Sequence, residues 1–225
     1  VIVLVDSRAG RPGGSNINEV LSQYGMRVHQ DALGMTRRGD GRPADLVVVQ
    51  GDGFSLHPVT RDLNRIALTL GQCAPVEVFD ESPAPGLVAR NVMTGPASSW
   101  GERDVPEDRT QAKRDPDDMP GPVTVAALGG PTATLGGPRL LVVGSSVSFV
   151  NKEVATNPQN LYPLLNAVNW MTGREHMLGI PSKDMQLGRA TLTAVQVRVS
   201  GWMFLLVVPA AFVALWLAVW TVRRR

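Results

Sequence analysis

The 225-residue chain has a single cysteine, Cys73, so it forms no intrachain disulfide and builds no thiolate cluster around a metal. Histidine is almost as scarce. His29, His57 and His176 are spread so widely that none has a partner at i+3 to i+5, which excludes the helical pair of a zinc protease. The glycine-rich stretches, Gly51-Asp52-Gly53 and two Gly-Gly-Pro turns, lack the offsets of a P-loop or a dinucleotide fingerprint, so ATP hydrolysis is not expected of this chain. Excess charge is missing too: 22 Lys and Arg, three of them the terminal arginines, face 20 Asp and Glu. What precedes that tail is close to neutral and offers no footprint for nucleic acid. Neither a cofactor nor a metal site is read from these residues.

Apolar content is what the chain does have, 44% hydrophobic against 19% charged residues, enough for one sizeable α/β domain. "VIVLVD" at 1–6, "ADLVVVQ" at 44–50, "VEVFD" at 76–80, "VTVAALGG" at 123–130 and "PRLLVVGSS" at 138–146 read as strands. Between them "INEVLSQYG" carries Ile17, Val20 and Leu21 at helical spacing, with Asn16 to cap it and Gly25 to stop it. "VTRDLNRIALTLG" at 59–71 is predicted as a short helix. "NLYPLLNAVNWMTG" is predicted as a longer one, with Leu161, Leu164, Leu165, Val168 and Met171 on one face. Alternating strands and helices of these lengths predict an α/β sandwich with a parallel-rich sheet over residues 1–190. "GERDVPEDRTQAKRDPDDMPGP" at 101–122 has charges of both signs and few large apolar groups, so a solvated loop is expected there. "HMLGIP" at 176–181 suggests a last edge strand, and 191–201 a connector. Because the chain opens on a strand at Val1, without an initiator methionine, further protein is expected upstream.

The long hydrophobic run comes last. No charge interrupts the 21 residues from Trp202 to Val222, and at about 1.5 Å per residue they reach roughly 30 Å, the thickness of a bilayer's hydrocarbon core. Trp202 stands at one end and Trp216 and Trp220 near the other, with Arg223, Arg224 and Arg225 following at once. Pro209 is read as a tolerable kink. The positive-inside bias places the arginines in the cytoplasm. A single C-terminal span in the lipid bilayer of the bacterial inner membrane, with the main domain periplasmic, is therefore expected.

Few residues suggest chemistry. Ser145 and Ser146 follow a strand, where a nucleophile elbow sits, but the second glycine of G-x-S-x-G is missing. His57, in "HPVT", orients a triad with Ser99 or Ser146 only if folding brings them together; otherwise it organises a helix start. Trp100, in "SSWGE", is read either as a partner anchor or as a plug for its own core. His57, Ser146 and Trp100 are thus the candidate partner-binding residues, and no catalytic residue is assigned.

The blocks "LVD", "NEVLSQYGMRV", "HPVT", "TGPASSWGE", "RLLVVGSSVSFVN", "NPQNLYPLLNAVNWMTGRE" and "IPSK", followed by the terminal hydrophobic run, resemble the gliding-motility-type auxiliary components of ABC transporters, the GldG-like family. The resemblance runs the length of the chain and is sharpest at "NAVNWMTGRE". It implies an extracytoplasmic domain similar to a flavodoxin-like or class I glutamine-amidotransferase-like sandwich, an upstream half, and an N-terminal membrane helix. It also implies a non-catalytic partner of a permease and an ATPase, without the amidotransferase cysteine. Cys73 is not at a strand-to-helix elbow and does not restore one. Where the family carries acidic residues, in the style of G-D-S-D-F, this chain has Gly144, Ser145, Ser146, Val147, Ser148 and Phe149.

Three readings of function follow. The leading one is a membrane-anchored, non-enzymatic accessory protein whose domain binds the permease or ATPase of an ABC-type transport or motility assembly. A second is a structural subunit of another large membrane complex, such as an energy-transducing one, with Trp202, Trp216, Ala210, Ala211 and Ala214 making a helix contact. A third is a periplasmic hydrolase or ligand-binding domain using His57, Ser99 and the 145–148 loop.

Overall fold

The apolar runs do become strands, but most of them pair with an antiparallel neighbour. The computed structural model describes residues 1–10, 16–80, 84–131 and 139–174, and, near the C-terminus, 209, 210, 216, 219, 220 and 222–224. Two compact units are distinguished, Val1–Ile180 and Pro181–Arg225.

In the first unit the elements follow in the order β1 (Ile2–Leu4), α1 (Ile17–Gln23), β2 (Met26–Val28), β3 (Leu33–Arg37), β4 (Pro43–Ala44), β5 (Leu46–Gln50), β6 (Ala67–Gly71), β7 (Val76–Val78), β8 (Leu87–Thr94), β9 (Trp100–Glu102), β10 (Thr124–Pro131), β11 (Leu140–Val143), α2 (Asn151–Thr156) and α3 (Tyr162–Met171). The largest sheet has the order β1-β11-β10-β8; smaller ones pair β2 with β7, β5 with β6, and β4-β3-β9. β1 and β11 run parallel, with Ile2 opposite Leu141, whereas β10 is antiparallel to both of its neighbours, as are the strands of every smaller sheet.

This architecture corrects the expected flavodoxin-like, parallel-rich sandwich: the fold is mixed α/β with several small sheets. A parallel sheet needs a crossover of a dozen or more residues, usually helical, between successive strands. Here the β5–β6 connection holds only short 3-10 turns, at Gly51–Gly53 and Arg61–Leu63. The helix expected over 59–71 is therefore a turn followed by β6. Ala67 to Gly71 alternates, Leu68 and Leu70 being fully buried and Thr69 half-buried, a strand period that outweighs the helical spacing upstream.

β11 explains why an unbroken apolar run was needed. Leu141 and Val143 face one side of the sheet, against Leu128 and Ala167 of α3, while Leu140 and Val142 face the other, against Leu21 of α1, Met26 and Val76. With both faces covered, burial of each such side chain contributes roughly 2 kcal/mol. α1 stops where Gly25 takes φ of +73°, a conformation that glycine adopts without penalty. A third cluster joins Leu33, Met35, Trp100 and Ala112.

After β9 the segment to 122 is irregular and mostly exposed, as a solvated loop would be, yet a few of its residues are anchored on the domain. Gly101 and Met119 exchange backbone bonds of 3.0 and 2.9 Å, and the segment folds back over β9 so that Glu102 is only 2% exposed.

In the second unit, the described residues of the expected span, Pro209, Ala210, Trp216, Val219, Trp220 and Val222, are helical. Trp216 and Trp220 stack at 6.4 Å, and the Arg224 guanidinium sits 4.1 Å over Trp220. Among the described residues no helix is long and apolar enough to cross a membrane. That finding overturns the expected single C-terminal span, together with the inner-membrane location and periplasmic placement built on it. An apolar run satisfies the length criterion in sequence, and composition alone does not fix a membrane-spanning helix. Trp202, Arg225, the connector at 191–201, and the edge strand at 176–181 with His176 lie outside the described residues.

Candidate functional site

An α/β fold places its chemistry beyond the carboxyl ends of parallel strands, which here means Asp6 after β1 and the 144–149 loop after β11. Gly144 is held in that position by main-chain bonds: it accepts from Ala74 N (2.6 Å) and donates to Val125 O (2.8 Å). A Cβ at residue 144 would run into the Ala74 carbonyl, so only glycine lets the two backbones approach so closely.

The polar side chains of this loop are all engaged. Asp6 Oδ1 accepts from the amides of Ser146 (2.5 Å) and Val147 (3.1 Å), and Oδ2 accepts from the Ser146 hydroxyl. The carboxylate thus satisfies the open amides at the start of the 3-10 turn Val147–Phe149, the place where such a turn would otherwise attract an external anion. Ser145 and Ser148 are buried, their hydroxyls 2.8 Å apart. Ser145 Oγ donates to Gly71 O (2.7 Å), while Ser148 Oγ accepts from Gly71 N (2.9 Å). Further along the same edge of β6, the Asn160 amide both accepts from Thr69 N (3.2 Å) and donates to Thr69 O (2.9 Å), as a paired strand would. The serine loop and "NPQN" thus supply side chains where β6 lacks a neighbour.

Cys73 is fully buried, donates to Leu70 O (3.4 Å), and has its thiol pKa pushed up by burial and then by the Asp6 charge. Nucleophilicity requires the thiolate, which this environment disfavours. Ser99, 1% exposed, donates to Pro96 O and accepts from Val123 N. Trp100 is also 1% exposed, its indole donating to Glu102 Oε2 at 3.1 Å. Its ring is spent inside the domain, which corrects the partner-anchor reading of this residue.

His57 stands apart from these serines. Its Nδ1 accepts from Val59 N (3.2 Å), and its ring meets Trp170 edge-on with centroids 5.0 Å apart. Partial burial, then the charges of Arg90 and Arg139, lower its pKa to about 4. Arg139 lies 4.6 Å over Trp170 and donates to the Trp170 carbonyl. Arg90 and Arg139 escape the sequence reading because they are 49 positions apart and meet His57 only through the β8–β10–β11 sheet.

Glu102, Asp115 and Asp118 were not singled out in the sequence either, yet their carboxylate oxygens lie within 4.8 Å of one another. Oxygen ligands at such spacing suit a hard divalent cation. The chain also uses them itself: Asp118 accepts from Arg103 N (3.0 Å) and Asp115 N (2.8 Å), and Glu102 accepts from Trp100. Burial raises the Glu102 pKa, the Trp100 bond opposes that shift, and the neighbouring Asp118 and Asp115 add to it. The arrangement works as a brace holding the 101–122 segment on β9.

A separate cleft of about 700 Å³ opens beside the ends of β5, β6 and β8, with Gln50, Asp52, Asn64, Arg65 and Thr94 among its lining residues. Gly51, Asp52 and Gly53 of the glycine-rich stretch line it, and His57, Ser146 and Trp100 do not.

No family model matches the chain, and no curated protein does. Among solved structures, the mmIFT52 N-terminal domain is similar, with a TM-score of 0.50 and 17% identity over 76% of this chain. The match spans 64% of that domain. At this identity the likeness concerns the fold alone, and with the sheet topology it replaces the flavodoxin-like expectation.

Proposed function

We propose that the chain is a non-catalytic accessory protein whose first unit binds other proteins, within an ABC-type transport or motility-related assembly. The observation that carries this reading is the occupancy of the β1–β11 carboxyl end. Asp6, Ser145, Ser146 and Ser148, which would otherwise form a reaction centre, all bond to the chain itself. The fold keeps the geometry of a site and fills it with structure. Contact with a partner falls instead to the outer face of α3, where Leu165 (51% exposed) and Val168 (47%) stand at i and i+3. The sequence resemblance to transporter auxiliary components supplies the class of partner, a permease and its ATPase.

The test is affinity purification through this protein from its native source in mild detergent, with mass spectrometry of what stays bound. Stoichiometric recovery of an ABC ATPase and permease from wild type, and its loss in Leu165→Glu/Val168→Glu, is the expected result. Recovery of a different complex, or of the chain alone, would sink the assignment.

A further inference from the structure

The chain covers one edge of the β5–β6 hairpin and leaves the other open. On β6 the main-chain N–H and C=O of Thr69 both go to the Asn160 amide, and those of Gly71 go to Ser148 and Ser145. In an antiparallel pair, residues that bond across the ladder alternate with residues whose main chain points outward. Leu68 and Leu70 are therefore the β6 residues that bond to β5, through Val49 and Val47. It follows that the main-chain groups of Val48 and Gln50 point out of the hairpin along its far edge. Among the described residues nothing bonds to them. Val48 and Gln50 also line the cleft of about 700 Å³, which Thr94, Pro96 and Pro122 help to wall. Asp52 and Arg65 stand on the same cleft, both exposed, of opposite charge, and in no ion pair among the described residues.

We infer that this edge receives an extended segment of a partner protein, which adds as a strand beside β5 by main-chain bonds to Val48 and Gln50. An open strand edge supplies donors and acceptors at the spacing of another strand, so affinity comes from the partner's main chain and selectivity from its side chains. The space agrees. With a rise of about 3.3 Å, a strand spacing of about 4.8 Å and a layer depth of about 10 Å, one strand residue fills roughly 160 Å³. The cleft of about 700 Å³ thus takes about four residues. A second copy of this chain fits less well, because edge-to-edge pairing favours a long, flat strand, whereas here the open stretch is short and lines a walled cleft. Asp52 and Arg65 select a segment that carries both a basic and an acidic residue. This inference rests on the protein-binding role proposed above, and adds to the α3 contact a second surface that reads main chain.

The experiment follows hydrogen exchange at single amides of the full chain by NMR, alone and with an acetylated Lys-Val-Thr-Val-Glu peptide. In the free protein the Val48 and Gln50 amides are expected to exchange faster than those of Val47 and Val49. Peptide at about ten times its Kd is expected to slow them about 10-fold. Two N-methylated forms of the peptide, blocked at alternate residues and offset by one, separate main-chain pairing from side-chain contact. One form is expected to bind about 10-fold more weakly than the other, since only alternate amides face β5. Val48→Pro removes the outward N–H at an edge position, where proline is tolerated, and is expected to weaken binding about 10-fold with the melting temperature kept. Should that variant fail to fold, the methylated pair decides on the wild-type chain. A Val48 amide already protected in the free protein, whether by another part of the chain or by a second copy, would overturn the inference. So would the absence of peptide binding, equal binding of the two methylated forms, or wild-type affinity in a folded Val48→Pro. A native complex lost in Leu165→Glu/Val168→Glu but intact in Val48→Pro would refute the edge site and leave the accessory role standing. Peptide pairing at Val48 with no native complex would do the reverse.

Discussion

Replacing Asp6 by alanine tests whether the β1–β11 carboxyl end is structure rather than chemistry. The Asp6 carboxylate accepts from two backbone amides and one hydroxyl, at 2.5 Å, 3.1 Å and a shorter contact. A hydrogen bond to a charged group is worth about 1.5–3 kcal/mol, and a donor left without a partner loses its desolvation cost as well. Asp6 is only half-buried, so water replaces part of what is lost, and Asp6→Ala is expected to cost roughly 3 kcal/mol in all. For a unit of this size that lowers Tm by about 6–12 °C. Asp6→Asn keeps one oxygen for both amides and is expected to cost about 1 kcal/mol. Urea unfolding followed by tryptophan fluorescence measures both variants, and the double-mutant cycle with Ser146→Ala isolates the pair, with an expected coupling of about 1–2 kcal/mol. Additive single-mutant effects, or Asp6→Ala within about 0.5 kcal/mol of wild type, would refute the argument that this carboxylate clasps the loop.

Further predictions concern three other positions. Gly144→Ala drives a Cβ into the Ala74 carbonyl and is expected to cost more than about 3 kcal/mol or to prevent folding, read by urea midpoint or soluble yield. His57 has a folded pKa lowered from 6.5 to about 4. Its contribution is therefore present above pH 6.5 and lost as pH falls toward 4. At about 1.4 kcal/mol per pH unit the full effect would be about 3 kcal/mol, which solvent around the half-buried ring reduces to roughly 1–2 kcal/mol; His57→Asn should flatten that limb of a stability–pH profile. Glu102 has the opposite sign: its raised pKa favours the folded state below the ordinary carboxyl range, an advantage lost as pH rises through the folded value. Glu102→Gln, retaining the acceptor for Trp100, should melt higher than wild type at neutral pH, with the gap closing in acid.

How much of this was legible depended on the range over which each signal acts. The runs that became β1, β5, β7, β10 and β11 are apolar over consecutive residues, and the spacing of α1 and α3 is local, so a single sequence carries them. Pairing direction is not local. Val1–Asp6 reads equally well beside a parallel or an antiparallel partner, and its neighbour β11 lies 139 residues away. The segment at 101–122 has the composition of a solvated loop and is mostly exposed, but its anchors were not legible, because Glu102 and Asp118 are held by each other and by Trp100 and Arg103 N only after folding. The terminal hydrophobic run met the length and flank criteria for a span, and those criteria describe composition alone. Ser145 and Ser146 drew notice for standing after a strand. That position was read correctly, but their bonds to Gly71 and Asp6 depend on residues brought in from elsewhere in the chain.

The Asn160 amide that completes the edge of β6 also sets an order of events during synthesis. The β5–β6 hairpin can form once residue 71 has left the ribosome, yet Ser145, Ser148 and Asn160, which cover its outer main-chain groups, are made some 74 to 91 residues later. At about 5–20 residues per second this leaves the strand uncovered for several seconds. An uncovered edge is a template for another chain. Nascent or truncated forms ending before Asn160 thus carry an aggregation liability that the finished protein has removed, and the C-terminal third of the first unit acts on its N-terminal half as a built-in, late-arriving chaperone.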